Sequence, residues 1–460
     1  MPNASLSDAL FADLYELTMA QAYWQHGRAG STATFSLFFR TYPPDRGYVV
    51  FAGLEDALDY LQRVRFTDAD IAYLRSLGLF DDAFLDDYLR GFRFTGSVRA
   101  MTEGDPCFVN EPVMEVSGPI IEAQLVETYL MNQVNLQTLL ATKAARVVHA
   151  ARGKRVVEFA ARRTQGTDAS MKLARVSYLV GAAGTSNVMA AGRYGIPPAG
   201  TMAHSFITSF PSELEAFRAY AESFPDTSTL LVDTYDTVSG TKHAVEVAQE
   251  MRRQGHELRA LRLDSGDLLA LSFECRSLLD DAGLQDVQLF ASGGLDEYDI
   301  EELVAQNAPF DGFGVGTKLG VSADAPYIDW AYKLVECDGQ PVLKLSTGKA
   351  TLAGRKQVYR RSAADGSYAG DIVALASEPV PGPATQPLLH EVMRAGERTA
   401  PSPSPSLAEL RERFAQEIER LPEQHRRLRA PDPYGVAQTP ELEAVQRRVT
   451  QMVTEKELGE

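Results

Sequence analysis

Chemically active side chains and glycines follow six short apolar segments in the middle of this chain. The segments are VVEFA, GTMA, LLVD, LRL, LFA and GFGVG. The residues at or just after their ends are Phe159, Arg162, Arg163, His204, Ser205, Asp233, Thr234, Tyr235, Asp236, Arg262, Asp264, Ser265, Asp267, Ser292, Gly293, Gly294, Gly314, Gly316, Thr317 and Lys318. A single Asp, Ser or Gly at such a position is ordinary, because these residues also favour turns and helix caps. Polar ends after all six segments instead indicate a functional site.

The last two of these ends, in ASGGLDEYD and GVGTKLG, are typical of a phosphate site. Glycines let backbone N–H groups approach a ligand closely, and each motif precedes a predicted helix whose N-terminus attracts phosphate. Loops after the seventh and eighth strands form the usual phosphate site of α/β barrels. Arg162, Arg163, Arg262 and Lys318 could neutralise the ligand's charge through charge-assisted hydrogen bonds.

The carboxylates in VDTYD and LDSGD indicate a second component of the site. Asp233 and Asp264 cannot hold a phosphate themselves, but carboxylates bind Mg²⁺ or accept hydrogen bonds from ribose hydroxyls. Glycine loops, arginines and carboxylates together predict a sugar phosphate or diphosphate as ligand, with Asp233 and Asp264 as the Mg²⁺ ligands.

His204 lies in PPAGTMAHSF, among small residues that bury little surface. A neutral imidazole at a strand end is a competent nucleophile toward phosphorus, and small neighbours leave room for a transfer. A lone histidine is more often a buried, hydrogen-bonded residue, so these residues alone leave both interpretations open.

Strand-like and helix-like segments alternate from residue 154 onward, which would bring all these ends together. The predicted strands are KRVVEFA, PPAGTMA, STLLVD, LRALRL, VQLFA and FDGFGVG, and the helices include KHAVEVAQEMRRQG, DLLALSFECRSLLDDAG and DEYDIEELVAQN. The spacing of the last four strands fits one strand, one loop and one helix per repeat, the unit of a parallel sheet. The pattern predicts either a doubly wound sheet or most of a (β/α) barrel, whose active site lies at the carboxyl ends of its strands.

The flanking segments differ from this pattern and predict further domains. Residues 1–140 mix helices such as LFADLYELTMAQAYWQHG with strands such as ATFSLFFR, which indicates an N-terminal α/β domain. Residues 141–340 are assigned to the catalytic barrel. Residues 341–400 are strand-rich and are expected to rejoin the N-terminal domain, and residues 401–460 form a predicted helical extension after the linker-like APSPSPS.

Composition limits the class of protein. A net charge of −17 argues against nucleic acid or anionic lipid held by a broad basic surface. The apolar runs are far shorter than the roughly 20 residues that a membrane helix needs, and the N-terminus lacks the features of a signal peptide. Three isolated cysteines indicate neither a disulfide framework nor a zinc site. We therefore expect a cytoplasmic protein that binds neither nucleic acid nor membrane.

Longer motifs run in one order from about residue 10 to 360. They are LFADLYELTMAQAYW, FRTYPPDRGYVVFAGLE, NEPVMEVSGPIIEAQLVETYLMNQVNLQTLLATKAAR, EFAARRTQG, GTSNVMAAGRYGIPPAGTMAHSF, LVDTYDT, LRLDSGDL, ASGGLDEY, GVGTKLG and KLSTGKATLAGRKQVYR. Together they resemble the nicotinate phosphoribosyltransferases of the type II phosphoribosyltransferase group. One departure is Ala160 in EFAARR, where the family usually has glycine and where the extra methyl is expected to tighten the nicotinate pocket slightly.

The resemblance implies a reaction. Nicotinate and phosphoribosyl pyrophosphate would give nicotinate mononucleotide and pyrophosphate in NAD biosynthesis, with ATP hydrolysed as a co-substrate and Mg²⁺ as the cofactor. It also implies an irregular (β/α) barrel, an N-terminal α/β domain completed by chain after the barrel, and a homodimer with shared active sites.

The same resemblance implies residue roles. Phe159 and Tyr15 match the rings that sandwich the pyridine, with Tyr15 reaching over from the partner subunit. Arg162 matches the arginine near the nicotinate carboxylate, Asp233 an acidic residue of the same cleft, and His204 the histidine that ATP phosphorylates. The contacts to ribose phosphate and diphosphate are expected from Arg262, Asp264, Ser292, Gly293, Gly294, Gly314, Gly316 and Thr317. The predicted catalytic residues are His204, Asp233 and Asp264.

Three other hypotheses compete with this one. The first is a related enzyme of the nicotinamide or quinolinate type. A nicotinamide-type enzyme would resemble this chain but carry an aspartate in place of Ser186 in GTSN. That aspartate would accept a hydrogen bond from the amide of nicotinamide and repel the carboxylate of nicotinate. A catalytically silent barrel would act as a binding protein, although every cleft residue is retained. A phosphate-binding isomerase or aldolase would need a Schiff-base lysine or a glutamate base at a strand end, and no convincing candidate is present.

Overall fold

The computed structural model describes residues 6–345, 351–399 and 405–459. The chain divides into two compact units. Unit 1 comprises Met1–Leu139 and Tyr327–Glu460, and unit 2 comprises Leu140–Pro326. The motif KLSTGKATLAGRKQVYR and the APSPSPS linker lie partly outside the described residues.

Helices and strands follow one another along the chain in three stretches. The first part contains α1 (Leu14–Gln25), β1 (Thr32–Phe39), β2 (Val49–Val50), α2 (Leu54–Arg63), α3 (Asp68–Ser76), β3 (Ser97–Ala100), β4 (Pro106–Cys107), β5 (Met114–Pro119), α4 (Ile120–Leu125) and α5 (Glu127–Ala150). Unit 2 contains β6 (Arg155–Glu158), α6 (Thr167–Leu179), β7 (Gly184–Thr185), α7 (Val188–Tyr194), α8 (His204–Thr208), α9 (Glu213–Ser223), β8 (Thr229–Leu231), α10 (Thr237–Arg253), β9 (Ala260–Leu263), α11 (Leu268–Asp281), β10 (Gln288–Ala291), α12 (Glu297–Ala305), β11 (Gly312–Val315) and α13 (Thr317–Gly320). The last part contains β12 (Trp330–Cys337), β13 (Gln340–Pro341), β14 (Lys356–Ser362), β15 (Tyr368–Leu375), β16 (Thr385–Pro387), β17 (His390–Arg394), β18 (Glu397–Arg398), α14 (Leu407–Arg420), α15 (Glu423–Arg426), β19 (Val436–Gln438) and α16 (Pro440–Val453). Short helical turns occupy Asp8–Leu10, Phe84–Tyr88, Leu89–Gly91 and Thr454–Leu458.

The core of unit 1 is built on a seven-stranded sheet of order β13-β12-β1-β5-β3-β17-β18. Its neighbouring strands are antiparallel, and β1 lies between β12 and β5. The sequence TATFSLFF favours this central place, because aromatic and β-branched residues fit a pleated surface and seven of its eight positions are buried. Phe35 of β1 stacks on Tyr332 of β12, with ring centroids 4.8 Å apart.

Chain from the end of the sequence completes unit 1. A second sheet has the order β16-β14-β15-β19, in which β19 pairs with β15 in parallel. Arg413 of α14 donates to the buried Asp105, and the hydroxyl of Tyr368 in β15 contacts Glu417 of the same helix. Residues beyond 400, predicted as a helical extension, thus also contribute a strand and buried polar contacts to this unit.

Unit 2 contains a parallel six-stranded sheet of order β7-β6-β11-β10-β9-β8. The sheet curls into a half-barrel, because a right-handed twist accumulates from strand to strand. Alternate side chains point to opposite faces, and one face lines a cavity of about 410 Å³ with Val157, Phe159 and Phe290. The cavity also reaches Arg155, Thr229 and Ala260, at the amino ends of β6, β8 and β9. The predicted fold class, an irregular (β/α) barrel with an α/β domain completed by later chain, is confirmed.

Three predicted elements differ in detail. PPAGTMA is not a strand, and within it only Pro198 forms a bridge, with Thr185. The place in the six-stranded sheet that was predicted for PPAGTMA is taken by β7, Gly184–Thr185. Two consecutive prolines offer no N–H to a ladder, which explains the loss. The segment EAQLVETYLMNQVNLQTLLATKAARVVHAA, whose pattern predicts one long helix from residue 122, is interrupted at Val126, between α4 and α5. β12, which the predicted barrel included, pairs with β1 in unit 1. No helix within the described ranges is long and apolar enough to cross a bilayer.

Candidate active site

Carboxyl ends of the parallel strands place the predicted site residues along one edge of the unit 2 sheet. Phe159 and Asp264 directly follow β6 and β9, Ser292 follows β10, and Gly316 follows β11. Asp233 comes two residues after β8 ends. Because neighbouring strands are parallel and in register, these positions share one edge.

Phe159 and Gly314 form one packed pair. The N–H of Phe159 donates to the carbonyl of Val315 at 2.8 Å, which fixes the residue beside β11. A Cβ on Gly314 would lie 2.4 Å from the Phe159 ring. The ring therefore occupies the space that any other residue at position 314 would fill, and Gly314 lies within β11 rather than in a loop. Phe290 flanks the same ring at a centroid distance of 6.1 Å.

Arg262 projects from β9 with one unused donor. Its Nη1 donates to the hydroxyl of Thr201 at 2.5 Å, and its Nη2 lies 3.9 Å from Oδ1 of Asp264. Its Nε is buried without a hydrogen-bond partner in the described chain. Burial lowers the pKa of Arg262, and the positive charge of Arg162 adds to this effect. The guanidinium stays charged, so it offers a desolvated cation to an anionic ligand.

Asp233 and Asp264 lie side by side at the ends of β8 and β9. Oδ2 of Asp233 accepts from the backbone N–H of Asp264 at 3.2 Å and from the hydroxyl of Ser265 at 2.5 Å. Asp264 accepts from the hydroxyl of Ser292 at 2.5 Å. Oδ1 of Asp233 is buried and, among the described residues, has no donor. Buried polar atoms are nearly always paired, so this oxygen indicates a missing hydroxyl or cation.

The carboxylates fit Mg²⁺ only in part. Within the described ranges, no group of three or more His, Cys, Asp or Glu side chains is arranged to hold a metal. Mg²⁺ commonly binds through one or two carboxylates together with substrate phosphates. Asp233 and Asp264 therefore match a metal that arrives with a diphosphate rather than one held by protein alone.

Two glycines after β10 bring backbone close to Asp264. Gly293 and Gly294 have φ angles of +95° and +75°. A Cβ on Gly293 would lie 1.7 Å from the carbonyl oxygen of Asp264, so no other residue fits there. A Cβ on Gly294 would meet nothing within 4 Å, so glycine is favoured there only by the positive φ angle.

In the segment after β11, the contacts of Lys318 differ from the prediction. Gly316 precedes α13, and Thr317 begins that helix with an exposed side chain. Lys318 was expected to neutralise phosphate, but its ammonium donates to Asp296 at 2.7 Å and to Asp299 at 3.0 Å. These carboxylates form the capping box of α12, so Lys318 joins two helices.

His204 is the first residue of α8 and is half-buried. Its Nδ1 lies 3.1 Å from the hydroxyl of Thr234, which follows Asp233 in the loop after β8. This contact leaves Nε2 as the ring nitrogen without a hydrogen-bond partner among the described residues.

Arg162 and Ser186 come from neighbouring loops that meet at Glu158. Arg162 and Arg163 are exposed, and neither guanidinium forms a hydrogen bond or ion pair in the described chain. The N–H of Ser186 donates to the carbonyl of Glu158 at 2.9 Å. Sequence reasoning missed Glu158; a carboxylate inside the apolar segment VVEFA was the available signal. Burial raises the pKa of Glu158.

The methyl of Ala160 does not line the cavity. Ala160 is fully buried, and a Cβ on Gly320 would lie 2.7 Å from its methyl. The methyl thus packs against α13. The expected tightening of the nicotinate pocket stays a prediction.

Tyr15 belongs to unit 1, near the start of α1. Its side chain is 45% exposed. Its hydroxyl donates to Glu127, and burial together with the negative charge of Glu127 raises the pKa of the phenol. Nearby Glu16 accepts from the N–H of Thr128 at 3.0 Å.

Family models and curated relatives indicate one family. Residues 10–135 match the nicotinate phosphoribosyltransferase (NAPRTase) N-terminal domain, residues 154–365 the NAPRTase family, and residues 383–446 the NAPRTase C-terminal domain. The chain is 52% identical over 420 residues to nicotinate phosphoribosyltransferase pncB2 of Mycobacterium tuberculosis, covering 91% of this chain and 89% of the relative. It is 44% identical over 381 residues to nicotinate phosphoribosyltransferase of Bacillus subtilis, covering 81% and 77%.

A solved structure shares the fold. Human nicotinic acid phosphoribosyltransferase superimposes with a TM-score of 0.86 at 32% identity, covering 97% of this chain and all of that one. Sequence, domain order and fold all lead to the same assignment: the chain belongs to the nicotinate phosphoribosyltransferase family.

Proposed function

We propose that this protein transfers the phosphoribosyl group of phosphoribosyl pyrophosphate to nicotinate, giving nicotinate mononucleotide and pyrophosphate for NAD biosynthesis. The observation that carries the proposal is a pair of buried groups at one sheet edge, a free guanidinium donor on Arg262 and a free carboxylate acceptor on Asp233. An anionic sugar diphosphate supplies both missing partners, because its phosphate oxygens accept and its ribose hydroxyls donate. Retention of these groups also speaks against a catalytically silent barrel.

The pyridine binds against Phe159. Its ring is held at the carboxyl end of β6 by the backbone of β11 and by the space left at Gly314. Arg162 meets the nicotinate carboxylate with a guanidinium that has no internal partner in the described chain. Ser186, in the neighbouring loop, keeps that place free of negative charge, which favours nicotinate over nicotinamide.

The diphosphate and ribose bind along the loops after β9, β10 and β11. Arg262 neutralises charge, Ser292 orients Asp264, and the backbone of Gly293 and Gly294 approaches the ligand. The backbone of Gly316 and the side chain of Thr317 border the same loops, and Gly314 makes room for the ring of Phe159. Asp233 and Asp264 would hold Mg²⁺ together with the diphosphate, and a bound cation would supply charge stabilisation for the leaving pyrophosphate.

His204 couples ATP to the reaction. Nε2 attacks the γ-phosphorus of ATP, the bond from that phosphorus to the bridging oxygen breaks, and ADP leaves. Thr234 accepts from Nδ1–H in the tautomer that keeps the lone pair on Nε2. The added phosphate charge reorganises the site, and hydrolysis of the N–P bond returns neutral His204 and inorganic phosphate, which drives product release.

Replacement of His204 by alanine tests this coupling. His204→Ala should abolish ATPase activity and acid-labile labelling from γ-phosphate-labelled ATP, while slow ATP-independent formation of nicotinate mononucleotide continues. His256→Ala is the matched control, because Nδ1 of His256 lies 3.2 Å from a carboxylate oxygen of Asp226 and the residue lies before β9, at the opposite edge of the sheet. Label uptake by His204→Ala, or full stimulation of that variant by ATP, would refute the nucleophile.

We also propose a homodimer in which one subunit supplies Tyr15 to the site of the other. Exposed apolar side chains that follow one another closely in sequence support it, since apolar surface that is grouped in this way is typical of interaction sites. On unit 1 they include Leu6, Phe11, Leu14 and Tyr15, and on unit 2 they include Val188, Met189 and Tyr235. Val188 and Met189, 78% and 73% exposed, come directly after the loop of Ser186. The cytoplasmic location stays a prediction.

A further inference from the structure

Glu158 is a buried carboxylate that the proposed chemistry does not use. It is the last residue of β6, is 1% exposed, and points away from the cavity face that carries Val157 and Phe159. A carboxylate that is buried without a cation usually has a specific set of donors to satisfy it. The two donors to its side chain come from two different loops.

The first donor belongs to the loop after β6. One oxygen of Glu158 accepts from the backbone N–H of Ala160. The carbonyl of Ala160 in turn accepts from the N–H of Arg163 at 2.7 Å. The tight turn that presents Arg162 therefore begins at a residue held by Glu158.

The second donor belongs to the loop after β7. The other oxygen of Glu158 accepts from the hydroxyl of Thr185 at 2.5 Å. The same hydroxyl accepts from the N–H of Asn187 at 3.0 Å. Ser186 lies between these two residues, and its own N–H donates to the backbone carbonyl of Glu158. The side chain and the backbone of one glutamate thus fix Ser186 from both sides.

We propose that Glu158 is a positioning residue for nicotinate recognition, which sets the placement of Arg162 and Ser186 relative to each other by joining their loops. The inference rests on the proposed function, in which those two residues select nicotinate. A carboxylate suits this task because each of its two oxygens can accept a hydrogen bond. Glutamine offers one acceptor and one donor, so it keeps the bond to Ala160 but leaves the Thr185 hydroxyl hydrogen without its acceptor.

Thr185 provides the sharper variant, because its substitution removes only one of the two hydrogen bonds to the Glu158 side chain. Thr185→Val removes the hydroxyl at similar volume, and Thr185→Ser restores it. Loss of a buried hydrogen bond of this kind corresponds to about a tenfold change in an equilibrium constant. We expect Thr185→Val to raise the KM for nicotinate by about tenfold and to lower the ratio of nicotinate to nicotinamide turnover. The KM for phosphoribosyl pyrophosphate should change by less than about twofold, and Thr185→Ser should recover the ratio.

Thr241→Val is the matched control. Thr241 is also fully buried in unit 2, and its hydroxyl donates to the carbonyl of Thr237 at 2.8 Å within α10. Thr241→Val should lower Tm about as much as Thr185→Val does, without changing the ratio of nicotinate to nicotinamide turnover. Glu158→Gln, measured in parallel, should show a smaller shift in the ratio than Glu158→Ala.

The outcomes separate two kinds of failure. If the wild-type protein makes no nicotinate mononucleotide, the proposed function itself is wrong. If the wild type is active but Thr185→Val and Glu158→Gln change Tm alone, or raise both KM values equally, the positioning role is wrong. A ratio that follows the hydroxyl through valine and serine supports the role.

Discussion

The absence of a side chain at two glycines decides where two residues of the proposed site can lie. Phe159 keeps its place because Gly314 has no side chain, and Asp264 keeps its place because Gly293 has none. Both glycines lie in motifs that the sequence identified, but for Gly314 the structure supplies a packing reason where the sequence indicated a ligand contact.

Gly314→Ala should displace the Phe159 ring. The new methyl would lie 2.4 Å from the ring, and neither the backbone of β11 nor Phe290 on the other flank leaves room for it. Overpacking of this kind costs about 1–3 kcal/mol in stability. We expect the KM for nicotinate to rise by about tenfold, because each 1.4 kcal/mol of lost binding is a factor of ten. Steady-state kinetics with nicotinate varied at saturating phosphoribosyl pyrophosphate measure the effect.

Gly192→Ala provides the control for this substitution. Gly192 is exposed in α7, and a Cβ there would meet nothing within 4 Å. Alanine in a helix interior is more stabilising than glycine by about 0.5–1 kcal/mol. Equal nicotinate KM values for the two variants would show that the ring does not depend on Gly314.

Positions of single site residues could be predicted from the sequence, but side-chain contacts with residues elsewhere in the chain could not. Asp233, Asp264 and Ser292 could be placed at strand ends from the sequence, and the structure brings them into hydrogen-bond contact. Lys318 was predicted to meet phosphate, and its ion pairs could not be predicted, because its partners Asp296 and Asp299 are set by the packing of α12 beside α13.

Secondary-structure elements were predictable where their residues show a clear period. The helices α10, α11 and α12 and the strands β8 to β11 follow the predicted segments, because parallel buried strands and amphipathic helices leave distinct patterns. β7 was missed because two residues carry too little pattern. β19 was missed because its parallel partner β15 is distant in sequence.

Elements of the second sheet are joined by a buried ion pair. Arg360 of β14 and Asp371 of β15 are both fully buried, and Nη2 of Arg360 donates to Oδ2 of Asp371 at 2.7 Å. Tyr434 donates to the same carboxylate at 2.9 Å. The ring of Tyr368 lies 4.7 Å from the guanidinium carbon. The pair therefore links β14 and β15 to chain near the C-terminus.

Arg360→Met should destabilise unit 1 strongly. The substitution leaves Asp371 buried without its cation, and breaking a buried pair in this way costs about 3–5 kcal/mol. Urea denaturation followed by circular dichroism measures the loss. Arg75→Met is the control, because Arg75 pairs with Asp82 and Asp86 on the surface, where ion pairs contribute little. Similar urea midpoints for the two variants would contradict a structural role of the buried pair.

At the scale of the whole molecule, the dimer is the proposal with the clearest test. Tyr15→Ala and Arg262→Ala should each be inactive, since each removes one contributor to every site. A heterodimer of the two variants would contain one intact site. After subunit exchange of an equal mixture, roughly a quarter of wild-type activity should return, because half of the dimers are mixed.

Native mass spectrometry of the same mixture, with one variant isotopically labelled, reports whether exchange took place. Each variant incubated alone gives the baseline. Complete exchange without recovery of activity would mean that Tyr15 does not act in the site of the other subunit.

The position of β1 between β5 and β12 has a consequence for synthesis on the ribosome. Cys337 pairs with Ala33, so β1 acquires its second neighbour only after nearly three quarters of the polypeptide has been made. At about 5–20 residues per second, this delay is on the order of half a minute. During that time the apolar edge of β1 exposes unpaired backbone groups, a template for wrong pairing. Until β12 emerges, this edge of the nascent sheet therefore stays open to pairing with other strands.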